Sequence, residues 1–359
     1  MSLTKKSNRR KFEWHNYYLF LFTIIPFNFF SQSIRNNDSS IVQYDDRLIV
    51  YNDFGFSSAP FNIHSDFNGS TERISYNHNF RLQYGIGLSY EWLALRISLP
   101  MPVYAKSMSR FGKNNSWSLG ANFTFKEVQF ELESNYFKGF SIIDAYKWND
   151  SLNVFRPNDI RPLTSLFYFS CESWIFGDKN YQLKLLKGLS GNYESRIFTW
   201  FLNNSLRFNQ LKNNEAIIPK ELINDSISVT RAVRFGIQEL GAVPGLAYVE
   251  RFGNFQISLI SGIGLAIQAK QYYIPSIKRN FIGLAPRYEM GINFGYSVPS
   301  YFIYLTSDIE NISMRIDDLK YNQLYYSLKL TAGIRLKLNN QVKPIQNSIF
   351  SKNKSVNNF

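Results

Sequence analysis

From Phe80 to Met101 the chain alternates with a period of two. Phe80, Leu82, Tyr84, Ile86, Leu88 and Tyr90 are interleaved with Arg81, Gln83, Gly85, Gly87, Ser89 and Glu91. Leu93, Leu95, Ile97, Leu99 and Met101 then alternate with Ala94, Arg96, Ser98 and Pro100. Successive side chains of a β-strand leave on opposite faces, so each half has one apolar face and one charged or small face. The two halves predict a hairpin turning near Glu91-Trp92. The pattern recurs down the chain. Trp117 to Phe125 and Val128 to Leu132 form a second hairpin across Lys126-Glu127, and Leu163–Ile175 sets Tyr168, Ser170 and Glu172 against Phe167, Phe169 and Cys171. After a turn at Gly177-Asp178-Lys179-Asn180, Tyr181–Lys187 reads as a returning strand.

The second half repeats the theme. Phe198, Trp200, Leu202, Leu206 and Phe208 oppose Thr199, Asn203, Ser205 and Arg207, and the longest loop then runs from Leu211 to Gln238. Gly245–Glu250 and Phe255–Ile267 predict a hairpin at Phe252-Gly253-Asn254, and Arg287–Tyr296 and Tyr301–Ser307 another across Val298-Pro299-Ser300. In the last strand Tyr326, Leu328, Leu330, Ala332, Ile334 and Leu336 face away from Ser327, Lys329, Thr331, Gly333, Arg335 and Lys337. With Arg47–Phe56 this makes about thirteen strand candidates and no helical periodicity of useful length; an even count then requires either that the first candidate lies outside the wall or that the Leu211–Gln238 loop hides another strand.

Alternation fits a soluble sandwich as well as a membrane barrel. About a dozen strands, however, close into a barrel too wide for its own side chains to fill, so an apolar interior would leave a void. The strands have the length that a tilted strand needs to cross a bilayer, and aromatics (Tyr84, Tyr90, Trp117, Phe125, Tyr288, Tyr296) lie near the ends of the apolar faces. Reversing the faces would place Lys329, Arg335 and Lys337 in lipid at roughly 2–4 kcal/mol each. The expected fold is all-β, an antiparallel transmembrane β-barrel of about 12 strands (10–14), the even count that a barrel with both ends in the periplasm requires.

The N-terminus adds an address. Lys5 to Lys11 is basic, Tyr17 to Phe30 is apolar but interrupted by Pro26 and Asn28, and Ser31-Gln32-Ser33 offers small residues for cleavage. This is the signature of a cleaved secretory signal peptide. The division is then 1–33 signal peptide, 34–46 polar leader, 47–338 outer-membrane β-barrel, and 339–359 a polar basic tail with the composition of a disordered segment. Localisation to the cell outer membrane follows. The contacts it implies are membrane lipid and lipopolysaccharide, a small polar solute, and protein partners in the envelope.

Charge and chemistry refine this only a little. The net charge of +13 is spread among acids at strand positions beyond the N-terminus, which argues against nucleic acid. The one cysteine, Cys171, sits on an apolar strand face as a small hydrophobe. Past the signal peptide only His64 and His78 occur, and no cluster has metal or triad spacing, so no catalytic residue, metal or cofactor is assigned. The lumen face carries Arg81, Glu91, Arg96, Glu131, Glu133, Glu172, Arg207, Arg287, Glu289, Lys329 and Arg335. Such mixed signs suit an internal ion-pair network, or a lining that binds or passes a polar solute. Arg156, Asp159 and Arg161 fall in a long loop, Lys138 to Arg161, with Pro157 and Pro162.

Several stretches also carry a family likeness. Tyr76, Phe80 and the run from Gly85 to Leu93, then Tyr136–Phe140, Arg156–Ile160 with Asn158 inserted into the family's Arg-Pro-Asp, and Pro244–Tyr248 resemble, in order, signatures of the bacterial domain of unknown function 4421. The resemblance implies an outer-membrane β-barrel with no assigned activity. The reading is a non-enzymatic barrel, structural or a narrow channel with a salt-bridged lumen. The alternatives are a barrel enzyme acting on lipid or peptide, with His78 its one candidate near a strand mouth, and an accessory barrel of an envelope complex.

Overall fold

The computed structural model describes residues 40–338 except 45, 69, 70, 80, 126 and 276. The expected signal peptide, most of the leader and the tail lie outside the described residues.

Twelve strands form a ring in which each pairs antiparallel with its neighbours. They are β2 (Arg47–Ser58), β5 (Arg81–Tyr90), β6 (Leu93–Tyr104), β7 (Asn115–Phe125), β8 (Val128–Ile142), β9 (Asp159–Phe176), β11 (Ile197–Lys212), β12 (Arg234–Phe252), β13 (Phe255–Ile274), β14 (Ile277–Ser297), β15 (Tyr301–Ile316) and β16 (Leu319–Lys337). The ring closes where β16 meets β2, from Tyr326 opposite Ser58 to Lys337 opposite Arg47. Four short strands lie off the ring: β1 (Ile41–Gln43), β3 (Phe61–His64), β4 (Arg73–Asn77) and β10 (Gly191–Tyr193). Since β5, β6 and β7 are short, the β3–β4 hairpin bridges β16 to β8 above them and completes the wall there.

Both ends of the ring, Arg47 and Lys337, lie at the same mouth, called the near end here. By the general asymmetry of such barrels, short turns mark the periplasmic side and long loops the outside. Phe252 and Phe255 pair across a near-end turn in which Gly253 has φ +61°, a backbone that favours glycine. The far end carries residues 105–114, 143–158 and 213–233.

The faces separate as the alternation requires. Ile292 is 39% exposed and its neighbour Asn293 4%; Leu328, Leu330, Ile334 and Leu336 are exposed while Lys329 and Arg335 are buried. Exposed apolar side chains from Tyr84 on β5 to Leu336 on β16 form a belt that water would not tolerate over such an area. Among the described residues no helix is long and apolar enough to cross a membrane, so the crossing is made by strands. A closed β-barrel leaves no backbone edge unpaired in hydrocarbon.

Tyr181–Lys187 is the place where the sequence misleads. It is not a wall strand. After β9 the chain turns into the lumen, makes one helical turn at Leu183–Leu186, pairs β10 with β1, and only then returns as β11. The first candidate strand lies in the wall, and the 213–233 loop holds no further strand, so subtracting Tyr181–Lys187 brings thirteen to twelve. Many wall strands also run further than the alternation showed, β8 to Ile142 and β9 from Asp159, because their far ends face packed loops instead of water or lipid.

Candidate functional site: a charged chamber between two plugs

The inward residues of β9 show the lumen's layering. Leu166 and Tyr168 point in at the far end, Ser170 and Glu172 in the middle, and Trp174 and Phe176 at the near end. The two apolar zones are each filled by a connection folded into the barrel.

At the far end, Ile217, Ile218, Leu222, Val229 and Ala232 of residues 213–233 join Phe61, Ile63, Tyr76, Phe140, Met314 and Tyr321 in one buried core. At the near end, residues 177–196 insert Tyr181, Leu183, Leu185, Leu186 and Tyr193 against Trp174, Phe176, Phe201 and Val249. Wall side chains then clasp the backbone of this near plug. Gln129 Nε2 donates to the Tyr181 carbonyl (2.8 Å) and its Oε1 accepts from Leu183 N–H (2.6 Å). Ser89 Oγ donates to the Leu189 carbonyl (2.8 Å). Arg335 Nη2 donates to the Gly188 carbonyl (2.8 Å), with its guanidinium over the rings of Tyr44 and Phe302, 4.9 Å from each centroid. Lys184 Nζ donates to the Glu91 carbonyl (2.5 Å). Gly188 makes the bend that allows this at φ +72°, and a Cβ there would come within 3 Å of the Phe302 and Tyr304 rings.

Between the plugs lies a cavity of about 120 Å³, room for a few ordered waters or a small solute. Its floor includes Leu183, Leu186, Lys187 and Leu189 of the near plug. Towards the far end, Tyr325 and Tyr168 stack (5.9 Å) and send their hydroxyls to Glu133 (3.2 Å) and Glu310 (3.3 Å). Ion pairs fill the rest. Arg207 bridges Glu172 (2.5 Å) and Glu310 (2.7 Å), and Arg287 bridges Glu239 (3.2 Å) and Glu310 (3.6 Å). Arg96 reaches Glu133 (3.5 Å) and Asp53 (3.7 Å), and Lys187 reaches Glu131 (3.0 Å). Glu289, Asp308 and Lys329 complete the lining. A buried ion network of this kind is held by geometry, since removing one partner strands the other's charge.

The sequence-assigned lumen residues thus fall into three places. Arg96, Glu131, Glu133, Glu172, Glu289 and Lys329 line the cavity, with Arg207 and Arg287 buried in its wall. Arg335 holds the near plug through its guanidinium, and Glu91, at the turn between β5 and β6, accepts from Lys184 of the plug through its backbone carbonyl. Arg81 sits at the far end of the short strands, donating to the carbonyls of Met101 (2.5 Å) and Asn114 (3.2 Å). Arg156 is exposed in the 143–158 loop, whereas Asp159 and Arg161 begin β9 and pair at 2.7 Å. Five charged members of the chamber were not assigned from sequence: Asp53, Lys187, Glu239, Asp308 and Glu310.

His78 lies in the polar junction where β4 passes to β5. It is 2% exposed, its ring 5.3 Å from Phe137 and 5.7 Å from Phe140, and its Nε2 accepts from Ala59 N–H (3.4 Å). Burial pushes the imidazole down to about 4. Among the described residues no group of three or more His, Cys, Asp or Glu is placed to hold a metal.

A closed barrel with an apolar belt outside and ion pairs inside is the spanning architecture of the Gram-negative outer membrane; the molecule is an outer-membrane β-barrel protein. Residues 36–335 match the family model "Domain of unknown function (DUF4421)", and the chain belongs to that family. No curated protein matches the sequence. Among solved structures it is similar to the outer membrane protease OmpT from Escherichia coli (7% identity, 82% of this chain and 98% of that one, TM-score 0.36). It is also similar to the P. putida toluene transporter TodX (6%, 82% and 92%, TM-score 0.31) and to the attachment invasion locus protein Ail of Yersinia pestis (6%, 79% and 98%, TM-score 0.21).

Proposed function

We propose that this barrel is a non-enzymatic, narrow channel held closed at rest, with residues 177–196 as its gate and the salt-bridged chamber as the compartment through which a small polar solute passes. The observation that carries the reading is the way the near plug is fastened. Its backbone is gripped by exchangeable hydrogen bonds from wall side chains, and from below by the single three-residue pairing of β1 with β10. Hydrogen bonds between neutral groups contribute only about 0.5–1.5 kcal/mol net each, and one from a charged group such as Arg335 about 1.5–3, because water replaces them when they open. A purely structural filler would have no need of a charged cavity of about 120 Å³ above it. Catalysis at His78 is disfavoured by its burial against the rings of Phe137 and Phe140. The belt meets membrane lipid, and the far-end loops meet lipopolysaccharide.

Planar-bilayer recording tests the reading. The intact barrel should be silent or nearly so, and a variant with residues 180–192 replaced by a short Gly/Ser turn should conduct steadily. If that variant folds and remains silent, the barrel is structural.

A further inference from the structure

The chamber's hydrogen bonding is lopsided. Glu289 is 6% exposed and lines the cavity, yet its Oε1 has no partner. Asn293 Oδ1, four residues further along the same face of β14, is also without one. Asn203 Oδ1 is a third. Its orientation is fixed, because Asn203 Nδ2 donates to Glu172 Oε2 (3.0 Å) and Glu289 Oε2 (2.8 Å), so the amide cannot turn round to supply the missing donor. All three are acceptors, and Asp53 Oδ2 and Asn122 Oδ1 on the cavity are two more; the unpartnered donors nearby are Trp174 Nε1 on the cavity and the Nε atoms of Arg207 and Arg287 in its wall. The charges lean the same way: the eight carboxylates of the chamber described above face five cationic side chains. Buried acceptors and unmatched carboxylates are costly unless something donates to them.

The chamber thus calls for a cation rich in N–H groups. A metal ion does not answer to this, since no group of three acidic or imidazole ligands converges among the described residues. An ammonium head does: it carries one positive charge and three donors in a compact tetrahedral arrangement. The cavity also has an apolar side, formed by Leu183, Leu186 and Leu189 of the near plug with Trp174 and Ile260, suited to a short alkyl chain. We propose that the chamber binds a small primary amine in its ammonium form, its head between Glu289 Oε1 and Asn203 Oδ1, whose side chains already meet at 2.8 Å, and its carbon chain towards the plug past Asn293. This deepens the channel reading by naming the solute class, and it is measurable without transport.

The test is calorimetric titration of the full-length barrel in detergent with propylammonium chloride, against a constant background of sodium chloride. Saturable binding near one per barrel is expected. Affinity should fall at least tenfold in Glu289→Gln and in Asn203→Ala, each checked for an intact barrel by circular dichroism, and stay unchanged in Glu127→Gln at an exposed turn. Tetramethylammonium, which has no N–H, should not bind, and potassium should not displace the amine. Absence of saturable binding to the folded wild type overturns the proposal. So does equal binding by both folded chamber variants, or equal affinity for tetramethylammonium or potassium. A barrel that binds propylammonium yet stays silent after plug removal keeps the site and loses the channel; one that conducts without binding does the reverse.

Discussion

The two plugs are each about twenty residues long, fill the same barrel from opposite ends, and are held differently. The far plug is secured by shape. Its five apolar anchors disappear into a core shared with β3, β4 and the upper ends of β15 and β16, and few wall side chains reach for its backbone. The near plug has a smaller apolar core and is gripped at Tyr181, Leu183, Gly188 and Leu189 by polar wall side chains. Hydrophobic burial is lost in full when a segment withdraws into water, whereas a hydrogen bond is largely exchanged for another. Two closures of similar length, each with several buried apolar anchors, are therefore held by different chemistry, and the one that adds exchangeable polar contacts from the wall lies on the side of the termini.

That contrast can be broken most forcefully at the far end. Ile217→Ala deletes a side chain 1% exposed and should destabilise the barrel by about 2–5 kcal/mol, seen as a lower melting temperature in detergent, with conductance still absent. Acid should act on the same end. Because the folded pKa of His78 is about 4, below the ordinary 6.5, its contribution is fully present above pH 6.5. It is lost as pH falls from 6.5 to 4, by about 3 kcal/mol in all. Hydrogen exchange at pH 4.5 against pH 7, corrected for intrinsic rates, should rise around residues 76–80 and 112–116 and leave 181–193 unchanged.

At the near end the effects are smaller and bear on gating. Gly188→Ala places a side chain at φ +72° against Phe302 and Tyr304, a strain of about 1–2 kcal/mol before the clash is counted, and should produce intermittent channel openings. Tyr44→Phe removes the hydroxyl that accepts from Asn192 Nδ2 (3.0 Å). It should loosen the plug by only about 0.5–1.5 kcal/mol, visible as faster exchange at residues 190–193 with the melting temperature scarcely moved.

What could be read from sequence follows the wall. Glu172, Arg207, Arg287, Glu289 and Lys329 stand opposite long apolar stretches, so alternation alone puts them inside. Lys187 escaped because a plug obeys no wall period: Tyr181–Lys187 is a short apolar run, which periodicity cannot assign between strand and buried turn. Asp308 and Glu310 lie past Ser307, where the outward neighbours Ser307 and Ile309 no longer make a clean apolar row. Glu239 fell in the unassigned stretch between the expected loop, which ends at Gln238, and the strand expected from Gly245, and only the register of β12 against β11, Arg207 opposite Glu239, shows it belongs to the wall. Asp53 was passed over between Tyr51 and Gly55, in a strand whose outward face includes Asn52 and so gives a weak pattern. The closed state of the lumen had no signature in the chain, being made by contacts between segments far apart in sequence.

Native-state hydrogen–deuterium exchange of the intact barrel over residues 181–193 tests the account most directly. Amides of Leu186, Gly188 and Leu189, bonded to the carbonyls of Gln182, Leu185 and Lys184 inside the lumen, should be protected for minutes or longer, and released when residues 40–46 are removed. Exchange of this segment within seconds in the full-length protein would mean that it hangs free in water and that the near mouth is open.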